Sequence, residues 1–209
     1  DKTFINKDKI YLIDSGAHYF DGTTDITRTI CFNHQSKDII NCYTRVLKCH
    51  IALANMIFPK NVKGNELDLI ARKHLWENGL DYNHGTGHGV GYVSSVHENP
   101  PNISRHSSKS LSPGMILSNE PGYYLDDNFG IRIENLLLVK NNLELKNSSF
   151  LNFETLSYCP FEKKLININM LNQGEINWIN KYYLLIRKKL KPFLGYKEYL
   201  WLLDETQSL

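Results

Sequence analysis

Four acidic residues in two strand-like stretches are the side chains of this sequence best suited to chemistry. They are Asp14 and Asp25 in the first stretch and Glu120 and Glu134 in the second. A buried carboxylate is costly unless it is paired, hydrogen-bonded or bound to a cation. Together with one imidazole, these ligands could hold two divalent ions about 3.5 Å apart and generate a hydroxide at neutral pH. The alternative is that the acids form surface ion pairs with Arg28 and Arg132.

Three histidines lie in or just after a segment rich in glycine. The segment runs His84-Gly85-Thr86-Gly87-His88-Gly89-Val90-Gly91, and His97 follows it. A lone histidine is usually structural, but glycines let a backbone approach a ligand closely, so this cluster favours a functional pocket. The glycine spacing matches neither GxGxxG nor a loop ending in Gly-Lys-Ser/Thr, so no phosphate loop is indicated. Ser15 and Ser118 lack the context of a nucleophile elbow, and a catalytic serine is not indicated either.

Two antiparallel hairpins are predicted to carry the acidic residues. Their arms are expected at residues 9–14 and 25–32, and at residues 115–120 and 131–139. Gly16 and Asp21-Gly22 separate the arms of the first hairpin, which places its two acids near the loop. Residues 82–101 have no helical period and are expected to form loops and short strands that line the site.

Apolar residues at a spacing of 3.6 predict four helices. They are expected over residues 38–58, from Asn65 to Gly79, over residues 175–189 and over residues 196–205. In the second helix, Asn65 is the expected cap and Gly79 the left-handed terminating residue. Ile70 and Trp76 are assigned to the buried stripe of that helix. No repeat or linker interrupts the pattern, so one domain is the economical interpretation.

The composition excludes several classes of protein. The 24 Lys and Arg residues nearly balance the 22 Asp and Glu residues, so no nucleic-acid partner is indicated. The longest apolar runs are far shorter than the roughly 20 residues that cross a bilayer, and the first residues lack the apolar core of a signal peptide. The four cysteines form no CxxC pair, so we interpret them as reduced thiols of a cytosolic protein.

The motifs, taken in chain order, resemble the catalytic domain of aminopeptidase P, a family of pita-bread metallopeptidases also called Xaa-Pro aminopeptidases. The resemblance rests on residues 12–16 with 25–29, 84–91, 119–124 and 130–135, and it continues through 151–156, 176–180 and 201–207. It implies an α+β fold in which helices flank a curved antiparallel sheet. The final segments resemble the tail of the three-domain cytosolic eukaryotic form.

The resemblance also implies a set of metal ligands and a reaction. Asp14 would bind one ion, His88 and Glu120 the other, and Asp25 and Glu134 both ions, with manganese as the expected metal. A hydroxide bridging the two ions would hydrolyse the bond between the first residue of a peptide and a proline in second position. The implied class is therefore a dinuclear metalloaminopeptidase.

Further roles follow from the same resemblance. Glu120 would accept a proton from the attacking water, and His97 would hydrogen-bond the substrate or the tetrahedral intermediate. His84 would line the pocket that admits proline. Arg132 is assigned to substrate binding together with His84 and His97. Arg132 and Thr27 would also orient the carboxylates, and Tyr124 would act in the same way.

The implied family has a longer catalytic domain than these 209 residues. Residues 1–209 are therefore expected to be the carboxy-terminal part of that domain, with an upstream segment of the same protein as a partner. A cytoplasmic homodimer with no membrane partner is also expected. Two alternatives remain. One is prolidase, which cleaves Xaa-Pro dipeptides, and the other is a non-catalytic pita-bread module that binds peptides or proteins.

Overall fold

The computed structural model describes residues 4–92, 95–145 and 149–209. The strands in these ranges are β1 (Ile10–Tyr19), β2 (Gly22–Cys31), β3 (Ile57–Pro59), β4 (Gly87–Val90), β5 (His97–Ile103), β6 (Ile116–Asn119), β7 (Gly122–Leu125), β8 (Phe129–Arg132), β9 (Asn135–Asn141) and β10 (Phe150–Thr155). The helices are α1 (Lys37–Ala54), α2 (Gly64–Trp76), α3 (Gln173–Leu190) and α4 (Tyr196–Glu205). Three short 3₁₀ turns lie at Lys163–Leu165, Ile168–Met170 and Lys191–Phe193.

The strands form one larger sheet and two separate hairpins. Six strands pair in the order β3-β10-β9-β6-β4-β5, and every pairing between them is antiparallel. The hairpins β1–β2 and β7–β8 stand outside this sheet. Helix α1 contributes the fully buried Tyr43, Val46 and Leu47 to a core that also contains residues of β8, α3 and α4. None of the helices in the described residues is long and apolar enough to span a membrane.

The first hairpin is longer than the sequence pattern indicates. β1 and β2 pair in register from Ile10 with Cys31 to Tyr19 with Gly22, so Gly16 lies inside β1 opposite Asp25. A Cβ atom at Gly16 would lie 2.9 Å from the carbonyl oxygen of Thr24, so this glycine permits a close backbone approach within the strand. The prediction that the two acids lie near the loop is therefore wrong, because they lie in the middle of the hairpin.

The second predicted hairpin exists, but it is divided at its acidic residues. β6 pairs with β9 and β7 pairs with β8, while Glu120 and Glu134 lie between the paired segments. The backbone N–H of Glu120 donates to the carbonyl of Thr86 at 2.8 Å, and that of Glu134 donates to Thr27 at 3.1 Å. At both acids the backbone therefore leaves its own hairpin and bonds to another part of the site.

Among the described residues, the helices match the prediction in number and order, and the ends of three of the four are shifted. Helix α1 ends at Ala54, earlier than expected, because the residues that follow form β3 and bury Phe58 against the sheet. Helix α4 has the expected bounds. Lys63, not Asn65, is the cap of α2, and its backbone N–H donates to the Glu66 carboxylate at 2.8 Å.

Two residues assigned to the buried stripe of α2 are partly exposed. Ile70 is 38% exposed and Trp76 is 41% exposed. The buried face of the helix is a narrower stripe than predicted, and it contains Leu67, Ala71 and Leu75. Beyond the helix, Gly79 has a φ of +69°, as its terminating role requires. The four cysteines are free, as expected, and Cys31 and Cys49 are buried.

Candidate active site

The acidic residues of both hairpins meet at one cavity. Because side chains alternate along a strand, Asp14 on β1 lies on the same face of the first hairpin as Asp25 on β2. A cavity of about 350 Å³ opens against this face. Six residues singled out in the sequence line it, namely Asp14, Asp25, His88, His97, Glu120 and Glu134. Folding therefore brings all five predicted ligands to one place.

Three of the predicted ligands form a tight donor cluster. Asp25, His88 and Glu134 each offer one ligand atom, and these atoms lie within 4.8 Å of one another. Nε2 of His88 is 3.4 Å from Oδ2 of Asp25 and 3.3 Å from Oε1 of Glu120. The other ring nitrogen, Nδ1, lies 2.8 Å from the carbonyl oxygen of Gly89. Donation from Nδ1 to a carbonyl is the arrangement that orients a histidine for metal binding through Nε2.

The carboxylates of the cluster are crowded, and this crowding changes their affinity for protons. Burial, together with the negative charges of Glu120 and Asp25, raises the pKa of Glu134 to about 8. Burial also raises the pKa of Glu120. Burial disfavours the charged form of His88, but the hydrogen bond to Asp25 and neighbouring charges outweigh it and raise its pKa to about 9. The cluster therefore attracts positive charge, and its oxygen and nitrogen donors fit a divalent cation.

Asp14 occupies the edge of the cavity. Its side chain is 53% exposed, and its Oδ2 accepts a hydrogen bond from Nη2 of Arg132 at 2.5 Å. Arg28, the other arginine considered as an ion-pair partner, is bonded differently. Its guanidinium donates to the backbone carbonyl of Glu134 at 2.7 Å and to that of Thr27 at 2.8 Å. The alternative prediction, that the acids form ion pairs with Arg28 and Arg132, is therefore correct for Arg132 and wrong for Arg28.

Two hydroxyl groups hold the glutamates of the second hairpin. Thr27 donates from Oγ1 to Oε2 of Glu134 at 2.6 Å. Ser118 donates from Oγ to Oε1 of Glu120 at 2.9 Å, and it also accepts the backbone N–H of His88 at 2.9 Å. Ser118 therefore orients a carboxylate and a histidine. Sequence reasoning considered this serine only as a nucleophile and missed that role.

Tyr124 connects His84 to Arg132. Nη1 of Arg132 donates to the Tyr124 hydroxyl at 2.9 Å, which leaves that hydroxyl free to donate to Nε2 of His84, also at 2.9 Å. Nδ1 of His84 lies 2.8 Å from the carbonyl of Gly85. Burial lowers the pKa of His84, which favours the neutral ring that this chain of hydrogen bonds requires.

His97 lies beside His88 at the start of β5. The two rings meet edge to face, with their centroids 4.2 Å apart and their planes at 77°. His97 is exposed to the cavity, whereas the ring of His88 is turned towards the carboxylates. The position of His97 therefore suits contact with a molecule held in the cavity.

A buried ion pair supports the segment that carries His84 and His88. Arg72 of α2 pairs with Asp68 at 2.7 Å and donates to the carbonyl of His84 at 2.6 Å. Thr86 donates to the other oxygen of Asp68 at 2.5 Å. Sequence reasoning missed this network, although an Asp and an Arg four residues apart on a helix are a recognisable signal.

His18 is a further cavity residue that the sequence did not suggest. It lies on the same face of β1 as Asp14, and its Nδ1 is 2.8 Å from Oγ1 of Thr23. The alternation from Asp14 through Gly16 to His18 could have indicated it. The prediction of a turn at Gly16 hides this alternation, because it ends the strand before His18.

An antiparallel α+β fold that brings four carboxylates and an imidazole to one cavity is an arrangement typical of metal-dependent hydrolases. The chain belongs to metallopeptidase family M24, whose sequence profile matches residues 1–141. The profile described as the C-terminal region of peptidase M24 matches residues 149–209. The predicted resemblance and the pita-bread fold are therefore confirmed.

Similar proteins agree with this family. Xaa-Pro aminopeptidase 1 of Dictyostelium discoideum is 46% identical over 208 residues, which are 96% of this chain and 33% of that protein. Aminopeptidase P1 of Lotus japonicus is 47% identical over 211 residues, which are 98% and 32% of the two chains. The chain therefore spans about a third of the length of the curated relatives that it matches.

Solved structures give the same result for the fold. The X-prolyl aminopeptidase of Caenorhabditis elegans, described as a cytosolic enzyme with a di-nuclear active site, superposes with a TM-score of 0.91. It is 38% identical, and the match covers 97% of this chain and 34% of that one. The prolidase of Pyrococcus horikoshii OT3 has a TM-score of 0.67 and 32% identity, with 79% of this chain and 44% of that chain covered.

Proposed function

We propose that this chain is the carboxy-terminal part of the catalytic domain of a metalloaminopeptidase that removes the first residue from peptides with proline in second position. The observation that carries the proposal is the joint position of the donor cluster and His97 in one cavity. The similarity to Xaa-Pro aminopeptidases over nearly the whole chain supports the same activity.

The proposed ligands are those that the resemblance to aminopeptidase P implies, and all of them line the cavity. Asp14 would bind one ion, His88 and Glu120 would bind the other, and Asp25 and Glu134 would contribute to both. The donors are hard oxygens and one imidazole nitrogen, which suit manganese among other divalent ions. When bound, such ions would supply Lewis-acid polarisation of the peptide carbonyl and a water molecule that is acidic enough to attack at neutral pH.

The side chains of the cavity supply the remaining chemistry. Glu120 accepts a proton at its carboxylate, which the Ser118 hydroxyl holds in a fixed orientation. Thr27 fixes Glu134 in the same way. These hydrogen bonds are present before substrate arrives, so the carboxylates need little reorganisation during the reaction.

Two histidines and Arg132 are proposed to bind the substrate. His97 hydrogen-bonds the peptide or the intermediate from its place beside His88. His84 lines the proline pocket, and the Tyr124 hydroxyl hydrogen-bonds its Nε2. Arg132 donates hydrogen bonds both to Asp14, a proposed metal ligand, and to Tyr124, which contacts His84.

An upstream segment of the same protein is proposed to complete the domain. The relatives are about three times as long as the part that this chain matches. In addition, β1 pairs only with β2 among the described residues, and Tyr11 and Ile13 are 39% and 36% exposed there. An unpaired strand edge of this kind is normally covered in a native protein. A homodimer and a cytoplasmic location are proposed with it.

Hydrolysis of matched peptides tests the proposal. The chain is expressed with its upstream segment, stripped of metal, reloaded with Mn²⁺, and given Ala-Pro-Ala and Ala-Pro, each with and without a chelator. We expect Mn²⁺-dependent release of alanine from the tripeptide. Absence of cleavage with two ions bound would overturn the proposal and favour a non-catalytic peptide-binding module.

Prolidase is the second candidate, because the fold also matches solved prolidases at TM-scores near 0.66. A prolidase must hold the free carboxylate of its dipeptide substrate. The same experiment separates the two activities, since a prolidase would cleave Ala-Pro and leave Ala-Pro-Ala intact.

A further inference from the structure

A histidine outside the cavity contacts the residues that adjoin Glu120 and Glu134 in the sequence. His50 on α1 is completely buried, and its Nδ1 is 3.1 Å from the backbone carbonyl of Asn119. Its Nε2 is 3.2 Å from Nδ2 of Asn135. Asn119 immediately precedes Glu120, and Asn135 immediately follows Glu134. The imidazole therefore contacts the neighbours of both acids.

The two asparagines are also the final pair of the β6–β9 ladder. Asn119 lies opposite Asn135, and beyond this pair the strands separate towards the acids. Nδ2 of Asn119 returns a hydrogen bond to the backbone carbonyl of His50 at 2.9 Å. Helix α1 and the end of the ladder are thus joined by reciprocal bonds at the point where both acids leave the sheet.

The direction of every bond in this network can be deduced. Arg28 can only donate, so the Asn135 atom 2.7 Å from its Nη2 must be the amide oxygen. The amide nitrogen of Asn135 therefore faces His50, and Nε2 of His50 must accept. The proton of the neutral ring then resides on Nδ1, which donates to Asn119. Burial, with the positive charge of Arg28, lowers the pKa of His50 to about 3 and keeps the ring neutral.

We infer that His50 is a positioning residue for the metal-binding acids, because it holds the end of the β6–β9 ladder in the register from which Glu120 and Glu134 enter the site. The chain of bonds from Arg28 through Asn135 and His50 to Asn119 connects β2, β9, α1 and β6. Of these elements, β2 carries Asp25, β9 begins directly after Glu134, and β6 ends directly before Glu120. The inference rests on the proposed metal site, and it concerns a residue that contacts neither metal nor substrate.

Variants of His50 test the inference through metal affinity. His50→Leu removes both side-chain bonds at similar volume, and His50→Gln retains an amide that can donate and accept. Leu53→Ala is the control, because Leu53 is equally buried on α1 and lies in a separate apolar cluster. Mn²⁺ affinity and stoichiometry are measured by calorimetry on the metal-stripped protein with its upstream segment, alongside kcat, KM and Tm.

We expect His50→Leu to weaken Mn²⁺ binding by about 10- to 100-fold, the scale seen when groups that orient metal ligands are removed. We expect kcat to fall more than KM changes, and His50→Gln to recover most of the affinity. Leu53→Ala should lower Tm and leave Mn²⁺ affinity unchanged. A His50→Leu protein with a lower Tm but unchanged affinity and kcat would overturn the inference.

A second variant keeps the test decisive if His50→Leu does not fold. His50→Asn retains a donor near the Nδ1 position but cannot reach Asn135. Intermediate Mn²⁺ affinity in this variant supports the inference, and unaltered affinity overturns it. If the unaltered protein binds two ions without cleaving Xaa-Pro peptides, the proposed activity fails while the role of His50 stands. If it binds no metal, both fail.

Discussion

The guanidinium of Arg132 donates from Nη2 to Oδ2 of Asp14 at 2.5 Å, across 118 residues of sequence. The same group donates from Nη1 to the Tyr124 hydroxyl at 2.9 Å and from Nε to Oγ1 of Thr27 at 3.2 Å. One planar side chain therefore connects the acid on β1 with two hydroxyl groups elsewhere in the site. A planar fork can serve several acceptors at once, which a lysine ammonium cannot do in the same geometry.

Replacement of Arg132 by lysine should therefore impair the site although charge is kept. We expect kcat/KM for Ala-Pro-Ala to fall about 10- to 100-fold, as for other groups that orient metal ligands. Lys140→Gln is the control, because Lys140 forms a half-exposed ion pair with Glu154 and neither residue lines the cavity. Equal activity of the Arg132→Lys and unaltered proteins would contradict the role of the guanidinium.

Glu120→Gln should remove the proposed proton acceptor with little change of shape. We expect kcat to fall by about 10³-fold or more, since active-site groups that handle charge contribute on this scale. Metal content should be measured in parallel, because Glu120 is also a proposed ligand. Turnover close to that of the unaltered protein would show that another group accepts the proton.

His97→Ala should damage catalysis and spare the metals. His97 packs edge to face against His88 and, in the part of the chain that the structure describes, forms no ion pair with the acids, so its loss leaves the donor cluster in place. We expect two bound ions by elemental analysis and a kcat reduced by about 10²-fold or more, the range typical for groups that assist the transition state. Loss of both ions would identify His97 as a ligand.

The metal-free protein should become less stable as the pH rises from about 6.5 to 9. The pKa of Glu134 is raised from 4.5 to about 8 and that of His88 from 6.5 to about 9. In this window the folded state holds more protons than the unfolded state, so the free energy of unfolding falls with rising pH. Thermal denaturation at several pH values, with a chelator present, measures how steeply Tm changes with pH. Glu134→Gln should make this dependence shallower, and a Tm that rises across the window would contradict the assignment.

Arg72→Met should strongly destabilise the chain. Arg72 and Asp68 are almost completely buried, so removal of one partner leaves an uncompensated charge that costs about 3–5 kcal/mol. The carbonyls of Tyr82 and His84 also lose a donor. Lys73→Ala, in the exposed pair with Glu77, is the neighbouring control and should change stability by less than about 1 kcal/mol. Denaturant titration of both variants measures how much each substitution lowers the free energy of unfolding.

The sequence alone identified much of the candidate site because metal chemistry restricts residue types. Asp14, Asp25, His88, Glu120 and Glu134 were recognised from side-chain chemistry and from motif resemblance, and the cavity contains all of them. Helix α4 was predicted with its observed bounds because apolar periodicity is a local property. The local pattern gives a wrong prediction at Gly16. A glycine can occupy a turn or a point of close backbone approach inside a strand, and Gly16 does the second.

Tertiary structure decided which groups support those residues. The bonds from Thr27 to Glu134, from Arg132 to Asp14 and from His50 to Asn119 join residues 107, 118 and 69 positions apart. No periodicity encodes such pairs, because they depend on how α1 and the two hairpins pack together. The sequence by itself determined the family and the chemistry of the donors. The orientation and the proton affinity of the donor side chains depend on how distant strands and α1 pack together. The same packing decides which residues hydrogen-bond to those side chains.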